Sequence, residues 1–260
     1  MVFYFTSTGN CLYVAKSLDE NCVSIPHVKA GAVYEDDVIG VVAPIYGHDI
    51  STNVREFFEQ TTLKAKYFYV ILTYGFCQGG ATTRLAELLA SLGKPADYIQ
   101  VLKMVDNALP AFDIEHELAI DAEKDVDGHL AQIKEDIAAR RHFIAQPSQW
   151  DIDYHEQFLK APFKLDPETD FRAKGREMYT ISDDCVGCGI CSRVCPKGCI
   201  TIENGKAHQK MDKCIACLGC IHACPHKAIH FTFPEKNPNA RYRNPHVKLS
   251  EIIESNWQKR

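Results

Sequence analysis

The chain has 260 residues, 46% of them hydrophobic and 24% charged, with a formal net charge of −5. That is enough for one large domain or two moderate ones, and no apolar run reaches the roughly 18 residues that a membrane-spanning helix needs. The N-terminus runs straight into a strand-like segment without a basic n-region or cleavage site, so the expected location is the cytoplasm. Charge is uneven: residues 1–150 carry 12 Lys/Arg against 20 Asp/Glu, and residues 151–260 carry 17 against 14. Much of the acid lies in Asp113–Asp127 and reads as a solvated helix face. The basic residues of the second half are scattered and not interleaved with aromatics, so nothing points to nucleic acid.

The first 110 residues alternate strand and helix patterns. Val2–Phe5 is a buried strand run, and Cys11–Leu18 follows as a helix. Cys22–Pro26 is a short strand and Asp37–Tyr46 a long apolar one. Ser51–Gln60 opens on N-cap residues and reads as a helix. Lys66–Gly75 is another buried strand. Ala81–Gly93 is an amphipathic helix that ends on glycine. Asp97–Val105 is a fifth strand, and a long helix is expected from about His116 to Ala145. Continuous apolar strands alternating with helices predict a parallel sheet covered on both faces. Five strands fit a doubly wound α/β fold of order 2-1-3-4-5, which binds ligands at the carboxyl ends of its strands. This unit is expected to span residues 1–146.

Residues 147–176 mix prolines, charges and isolated aromatics and read as a surface linker. Its aromatics, Trp150, Tyr154, Phe158, Phe163 and Phe171, are expected to anchor it to a neighbouring core. Residues 177–233 form the next unit, and residues 234–260 a polar tail in which Val247–Trp257 reads as a short helix.

Nine of the 12 cysteines fall between Cys185 and Cys224, where the chain repeats itself at an offset of 29 residues. Cys185, Cys188, Cys191 and Cys195 precede Pro196; Cys214, Cys217, Cys220 and Cys224 precede Pro225. Clustered cysteines in such a chain suggest metal or redox chemistry more than disulfides. In C-x2-C-x2-C-x3-C-P, three thiolates wrap one corner of a cubane cluster and the fourth reaches the other cluster. The expected sets are Cys185, Cys188, Cys191 and Cys224 for one [4Fe-4S] cluster and Cys214, Cys217, Cys220 and Cys195 for the other. Zinc is the competing reading, but it explains neither the crowding of three thiols on one loop nor the prolines. Gly187, Gly189 and Gly219 suit the tight ligand loops. Cys199 stands opposite Ala228 in the repeat and reads as packing. His222, His226 and His230 read as surface residues. Residues Tyr179 to Phe233 resemble the bacterial two-[4Fe-4S] ferredoxin domain, a small α+β fold.

Thr6, Ser7, Thr8, Gly9 and Asn10 lie between the first strand and the first helix, the phosphate position of a doubly wound fold. Hydroxyls and backbone N–H groups bind phosphate there without a cationic side chain. The segment is neither a Walker A motif nor a GxGxxG fingerprint. It resembles the flavodoxin phosphate loop [ST]-x-T-G-x-[ST], with Cys11 at the last position, where the family usually has a hydroxyl. The resemblance implies FMN. Two more loops carry it: Pro44, Ile45, Tyr46 and Gly47 after the third strand, and Thr73, Tyr74, Gly75, Phe76, Gly79 and Gly80 after the fourth. There Tyr46 would stack on the flavin ring and the Gly47 peptide would answer its N5. Cys77, in the same loop, has no base partner and reads as passive. Asn107, on the same rim, is placed near the flavin or the neighbouring domain.

Taken whole, the chain resembles the flavodoxin–ferredoxin fusion proteins. The resemblance implies a protein that passes electrons between two [4Fe-4S] clusters, FMN and a redox partner protein or small-molecule acceptor. The alternative it leaves open is a flavin-dependent reductase that uses cluster electrons on a small organic substrate or quinone.

Overall fold

Buried apolar runs build the sheet of the first unit. A computed structural model describes residues 1–160, 179–210, 213–232 and 234–257. Its contacts divide into two units, one built on Met1–Phe5, Cys11–Val105 and the described residues from Asp121 to Lys160. Its strands are β1 (Val2–Tyr4), β2 (Cys22–Ser24), β3 (Val33–Tyr46), β4 (Asp49–Ile50), β5 (Thr62–Tyr74), β6 (Tyr98–Lys103) and β7 (Phe143–Ile144). The order is β2-β1-β3-β5-β6-β7, with β4 folded back on β3. Ladders along that path are parallel, so β1, β3, β5 and β6 all end at one edge. The first five strands of this path have the expected order 2-1-3-4-5. Phe3, Ile39, Ile71, Leu72 and Ile99 are all but fully buried; each contributes roughly 1.5–3 kcal/mol through burial of its side chain.

β3 and β5 start earlier than their apolar runs. Val33–Val38 alternates exposed and half-buried residues. Lys64 pairs with Glu35 at 3.5 Å and Lys66 with Asp37 at 2.9 Å. These front halves form a polar ribbon beyond the covered part of the sheet. Continuous hydrophobicity marks only the covered part.

The long helix expected at His116–Ala145 is instead α4 (Ile114–Ala119) and α5 (Val126–Ala138), followed by β7. Asp125 takes a left-handed φ of 42° and caps α5 by accepting from the Gly128 N–H at 3.3 Å. Arg140, at φ 50°, ends it: the Arg141 N–H donates to the Asp136 carbonyl at 2.9 Å in a Schellman closure. Phe143 and Ile144 then pair with Tyr98 and Ile99. The expected linker opens as a helix, α6 (Gln149–Lys160). The rest of that linker, with Phe163 and Phe171, lies outside the described residues. α4 belongs to the second unit; the remaining helices of the first are α1 (Asn10–Leu18), α2 (Thr52–Gln60) and α3 (Ala81–Ser91).

The second unit comprises Thr6–Asn10, Asp106–Ile120 and the described residues from Tyr179 onward. β8 (Tyr179–Ile181) pairs antiparallel with β11 (Ile229–Phe231), and β9 (Ile200–Glu203) with β10 (Lys206–Gln209). Short helices α7 (Ile190–Arg193) and α8 (Gly219–Ala223) complete the small α+β fold. The tail is pinned by a buried pair, Arg241 to Glu235 at 2.8 Å, and by the Phe231 N–H donating to Glu235 at 3.2 Å. It ends in α9 (Leu249–Asn256), inside the segment expected to be helical.

The repeat is visible in the backbone. Gly187 (φ 66°), Gly189 (76°) and Gly198 (61°) correspond to Ala216 (50°), Leu218 (60°) and Lys227 (51°). The second half therefore holds left-handed backbone without glycine, at roughly 1–2 kcal/mol per residue. Gly219, expected to serve a ligand turn, does not have positive φ; that role falls to Leu218.

Three substitutions test this account. A methyl group on Gly40 would collide with the ring of Tyr69 on the paired strand. Gly40→Ala is expected to destabilise the sheet by about 1–3 kcal/mol in denaturant unfolding. Gly187→Ala would meet the Gly205 carbonyl and a left-handed φ, so it should lower the unfolding midpoint of the second unit. Its counterpart Ala216→Gly should leave that midpoint level or raised, since it removes left-handed strain.

Candidate functional site

Two cavities collect the repeat cysteines. The first is lined by Cys185, Cys188, Cys191 and Cys224. The second is lined by Cys195, Cys214, Cys217 and Cys220, with Cys199 beside them. Each takes three thiols from one half of the repeat and one from the other. Among the described residues no three His, Cys, Asp or Glu side chains converge to hold a single metal ion. Four thiols lining each cavity are a donor set that suits a polynuclear thiolate-bound group.

Backbone N–H groups address the sulfurs, one pair of them matched across the repeat. The Cys199 N–H donates to Cys195 Sγ at 3.2 Å, and its repeat counterpart, the Ala228 N–H, donates to Cys224 Sγ at 3.3 Å. The Ala207 and Ala216 N–H groups reach Cys185 and Cys214, each at 3.4 Å. Such donors stabilise thiolate charge and tune whatever the thiolates bind. Cys199 is 3% exposed, consistent with a small packed side chain. Its thiol also donates to Cys195 and Cys214, which drives its own pKa far upward.

His222 differs from its surface reading. It is buried on α8, between Cys220 and Cys224 in sequence. Nδ1 accepts the Tyr242 N–H at 3.0 Å, so Nε2 carries the proton and donates to the Asn107 carbonyl at 2.9 Å. Burial pulls its pKa down to about 4, which keeps the ring neutral. His226 is exposed and His230 half-buried.

The hydroxyl loop Thr6–Asn10 takes its contacts from the second unit. Thr6, Ser7, Thr8 and Asn10 are all buried. Thr6 Oγ1 accepts the Gly9 N–H at 3.0 Å, and Thr8 Oγ1 accepts Asn107 Nδ2 at 2.8 Å. Each of these hydroxyls keeps its own proton to donate onward. The Asn244 N–H donates to the Thr8 carbonyl at 2.8 Å, and Asn256 Nδ2 to the Thr6 carbonyl at 2.9 Å. Gly9 has φ 106°, and a Cβ there would lie 2.9 Å from that of Asn244. A loop rich in hydroxyls, free of charged side chains and held from outside suits a phosphate bound through neutral dipoles.

The rim of the first unit carries the other expected flavin residues. Pro44, Ile45 and Tyr46 end β3. Gly47 (φ 53°) and His48 (φ 67°) make the two-residue turn into β4, both left-handed as such hairpins require. Thr73 and Tyr74 end β5, and Gly75, Phe76, Gly79 and Gly80 lead into α3. Cys11 Sγ lies 3.2 Å from Thr73 Oγ1, and burial raises its pKa to about 12. Its thiol is thus occupied on β5. Burial also raises Cys77 to about 11, which suits the passive role expected of it.

Helix α6 lies on this rim. A box of Ser148 and Asp151 caps it: Ser148 N–H to Asp151 at 3.0 Å, and Asp151 N–H to Ser148 Oγ at 3.1 Å. The other Asp151 oxygen accepts from Gln78 N–H at 3.2 Å and Cys77 at 3.4 Å, fastening the helix to the β5–α3 loop. Burial alone would raise the Asp151 carboxyl; the donors outweigh it and hold it below the usual range. Trp150 and Tyr154 stack at 5.3 Å and meet Phe76 at 5.3 and 5.2 Å. Phe158 packs on His48 at 4.4 Å, and His155 Nδ1 lies 3.1 Å from His48 Nδ1. Arg84 donates to the His48 and Gly79 carbonyls. His48, Arg84, Asp151 and His155 were not foreseen from the sequence. The aromatic spacing 150, 154, 158, one helical stripe, was the available signal.

Residues 177–225 match the family described as the 4Fe-4S dicluster domain. No curated protein matches the chain. Among solved structures, it is similar to a proposed flavoprotein from Bacteroides uniformis ATCC 8492, with 16% identity and a TM-score of 0.33 over 45% of this chain and 93% of that one. It is also similar to rubredoxin oxygen:oxidoreductase from the anaerobe Desulfovibrio gigas, with 16% identity and a TM-score of 0.28 over 51% of this chain and 36% of that one. Residues 177–225 are thus similar to an iron–sulfur domain, on a chain that opens with a doubly wound α/β sheet.

Proposed function

We propose that the chain is an electron-transfer protein that carries two [4Fe-4S] clusters and one FMN and exchanges electrons with a redox partner. The observation that carries this reading is the pair of cavities, each lined by three thiols of one CxxCxxC run and the fourth thiol of the other. Cys185, Cys188, Cys191 and Cys224 would hold one cluster; Cys214, Cys217, Cys220 and Cys195 would hold the second. The FMN phosphate would take the Thr6–Asn10 loop and the Cys11 N–H. Pro44 to Gly47 and Thr73 to Phe76, with Gly79 and Gly80, would flank the ring. In support, β1, β3 and β5 end at the same edge of one parallel sheet, and these segments follow them.

When bound, the clusters exchange single electrons and FMN one or two. The chain supplies the rest. The backbone N–H groups of Cys199 and Ala228 stabilise thiolate charge on Cys195 and Cys224, its neutral hydroxyl loop receives a phosphomonoester, and Phe76, Trp150 and Tyr154 form an aromatic wall on the rim.

Anaerobically purified protein should contain about eight irons, matching acid-labile sulfide, and one extractable FMN per chain. Cys195→Ser should reduce iron towards half, and Cys199→Ala should leave it unchanged. Colourless protein containing zinc would overturn the cluster assignment, and loss of iron in Cys199→Ala would overturn the ligand sets.

A further inference from the structure

We propose that Asn107, Tyr242 and Asn244 are positioning residues for the flavin phosphate, and that His222 ties them to the cluster-bearing helix α8. The proposal rests on the flavin reading above and goes beyond it, because it assigns phosphate selectivity to residues far from the loop in sequence.

The geometry is a closed frame within the second unit. His222 Nε2 holds the Asn107 backbone carbonyl, and His222 Nδ1 holds the Tyr242 backbone N–H. Both ring nitrogens are committed, so the imidazole fixes the two backbones at a set spacing. From these anchors the side chains reach the loop. Asn107 Nδ2 donates to Thr8 Oγ1 at 2.8 Å, and the Tyr242 hydroxyl donates to Asn10 Oδ1 at 2.7 Å. Asn244 adds its N–H to the Thr8 carbonyl and its Nδ2 to Asn10 Oδ1 at 3.1 Å.

What these bonds share is direction. Each places an external donor on an acceptor of the loop. The loop has no Lys or Arg, so it can attract an anion only if its neutral dipoles present their positive ends. An acceptor oxygen turned toward a phosphate would repel it. Asn107 occupies a lone pair of Thr8 Oγ1 and leaves the hydroxyl proton to point elsewhere. Tyr242 and Asn244 together capture Asn10 Oδ1 and thereby fix which end of that amide faces them. The frame thus converts a neutral loop into a donor-lined one. The same frame leads back through His222 to α8, where that residue lies between Cys220 and Cys224 in sequence.

The test separates phosphate recognition from ring binding. FMN and riboflavin, which differ by the phosphate, are titrated against cluster-loaded, flavin-depleted protein and read by quenching of flavin fluorescence. In Tyr242→Phe, which deletes one hydroxyl, FMN affinity should fall about fivefold or more, and Asn107→Ala should behave likewise. Riboflavin affinity and iron content should stay at wild-type values in both. If both variants keep the wild-type ratio of FMN to riboflavin affinity, or lose both affinities equally, the positioning role is overturned. If the wild-type protein binds FMN no better than riboflavin, the phosphate reading itself fails, and that result is distinct because it precedes any variant.

Discussion

A thiol borrowed across the repeat is the constraint around which the second unit is built. Cys224 stands with Cys185, Cys188 and Cys191, while Cys195 stands with Cys214, Cys217 and Cys220. Neither half of the repeat completes a cavity alone. The two halves must therefore pack together, and the pairing of β8 with β11 closes the arrangement. Thiolates bound to a shared inorganic group would act as crosslinks between halves, so ligand binding and folding would be one free energy. Left-handed backbone at Ala216, Leu218 and Lys227 is tolerated because this geometry over-determines it. A residue held in a sparsely allowed region persists only where its surroundings leave no alternative.

The hydroxyl loop follows the same logic with weaker bonds. Its residues follow a strand of the first unit in sequence, yet their contacts come from Asn107, Tyr242, Asn244 and Asn256. On the rim of the first unit, α6 performs a comparable service. Asp151 fixes the helix to the β5–α3 loop, and its aromatic stripe packs against His48 and Phe76. In both places a segment that looks peripheral in the sequence sets the shape of a loop suited to binding.

What the sequence revealed follows from the range of the interactions concerned. Sheet order was legible because buried parallel strands need continuous apolar runs, as in Ile39–Ala43 and Tyr67–Leu72. The cysteine pattern was legible because thiolate chemistry constrains spacing tightly. The polar front of β3 was not, since its exposed alternation and cross-strand ion pairs carry no hydrophobic signal. The break near Asp125 depends on a non-glycine residue in left-handed backbone, which no composition rule anticipates. The burial of His222 and the anchoring of Asn10 by Tyr242, 232 residues away, are long-range facts with no local signature. The aromatics at 150, 154 and 158 were legible as anchors, but the helix that carries them was not, because prolines and charges surround them.

The central claim is that electrons move between the iron–sulfur unit and a flavin held by the same chain. Anaerobic reductive titration of the purified protein, with cluster and flavin absorbance followed together, addresses it most directly. The account predicts that limiting reductant distributes between the two chromophores to one equilibrium, irrespective of which is reduced first. Separate populations that never exchange electrons on mixing and standing would contradict it.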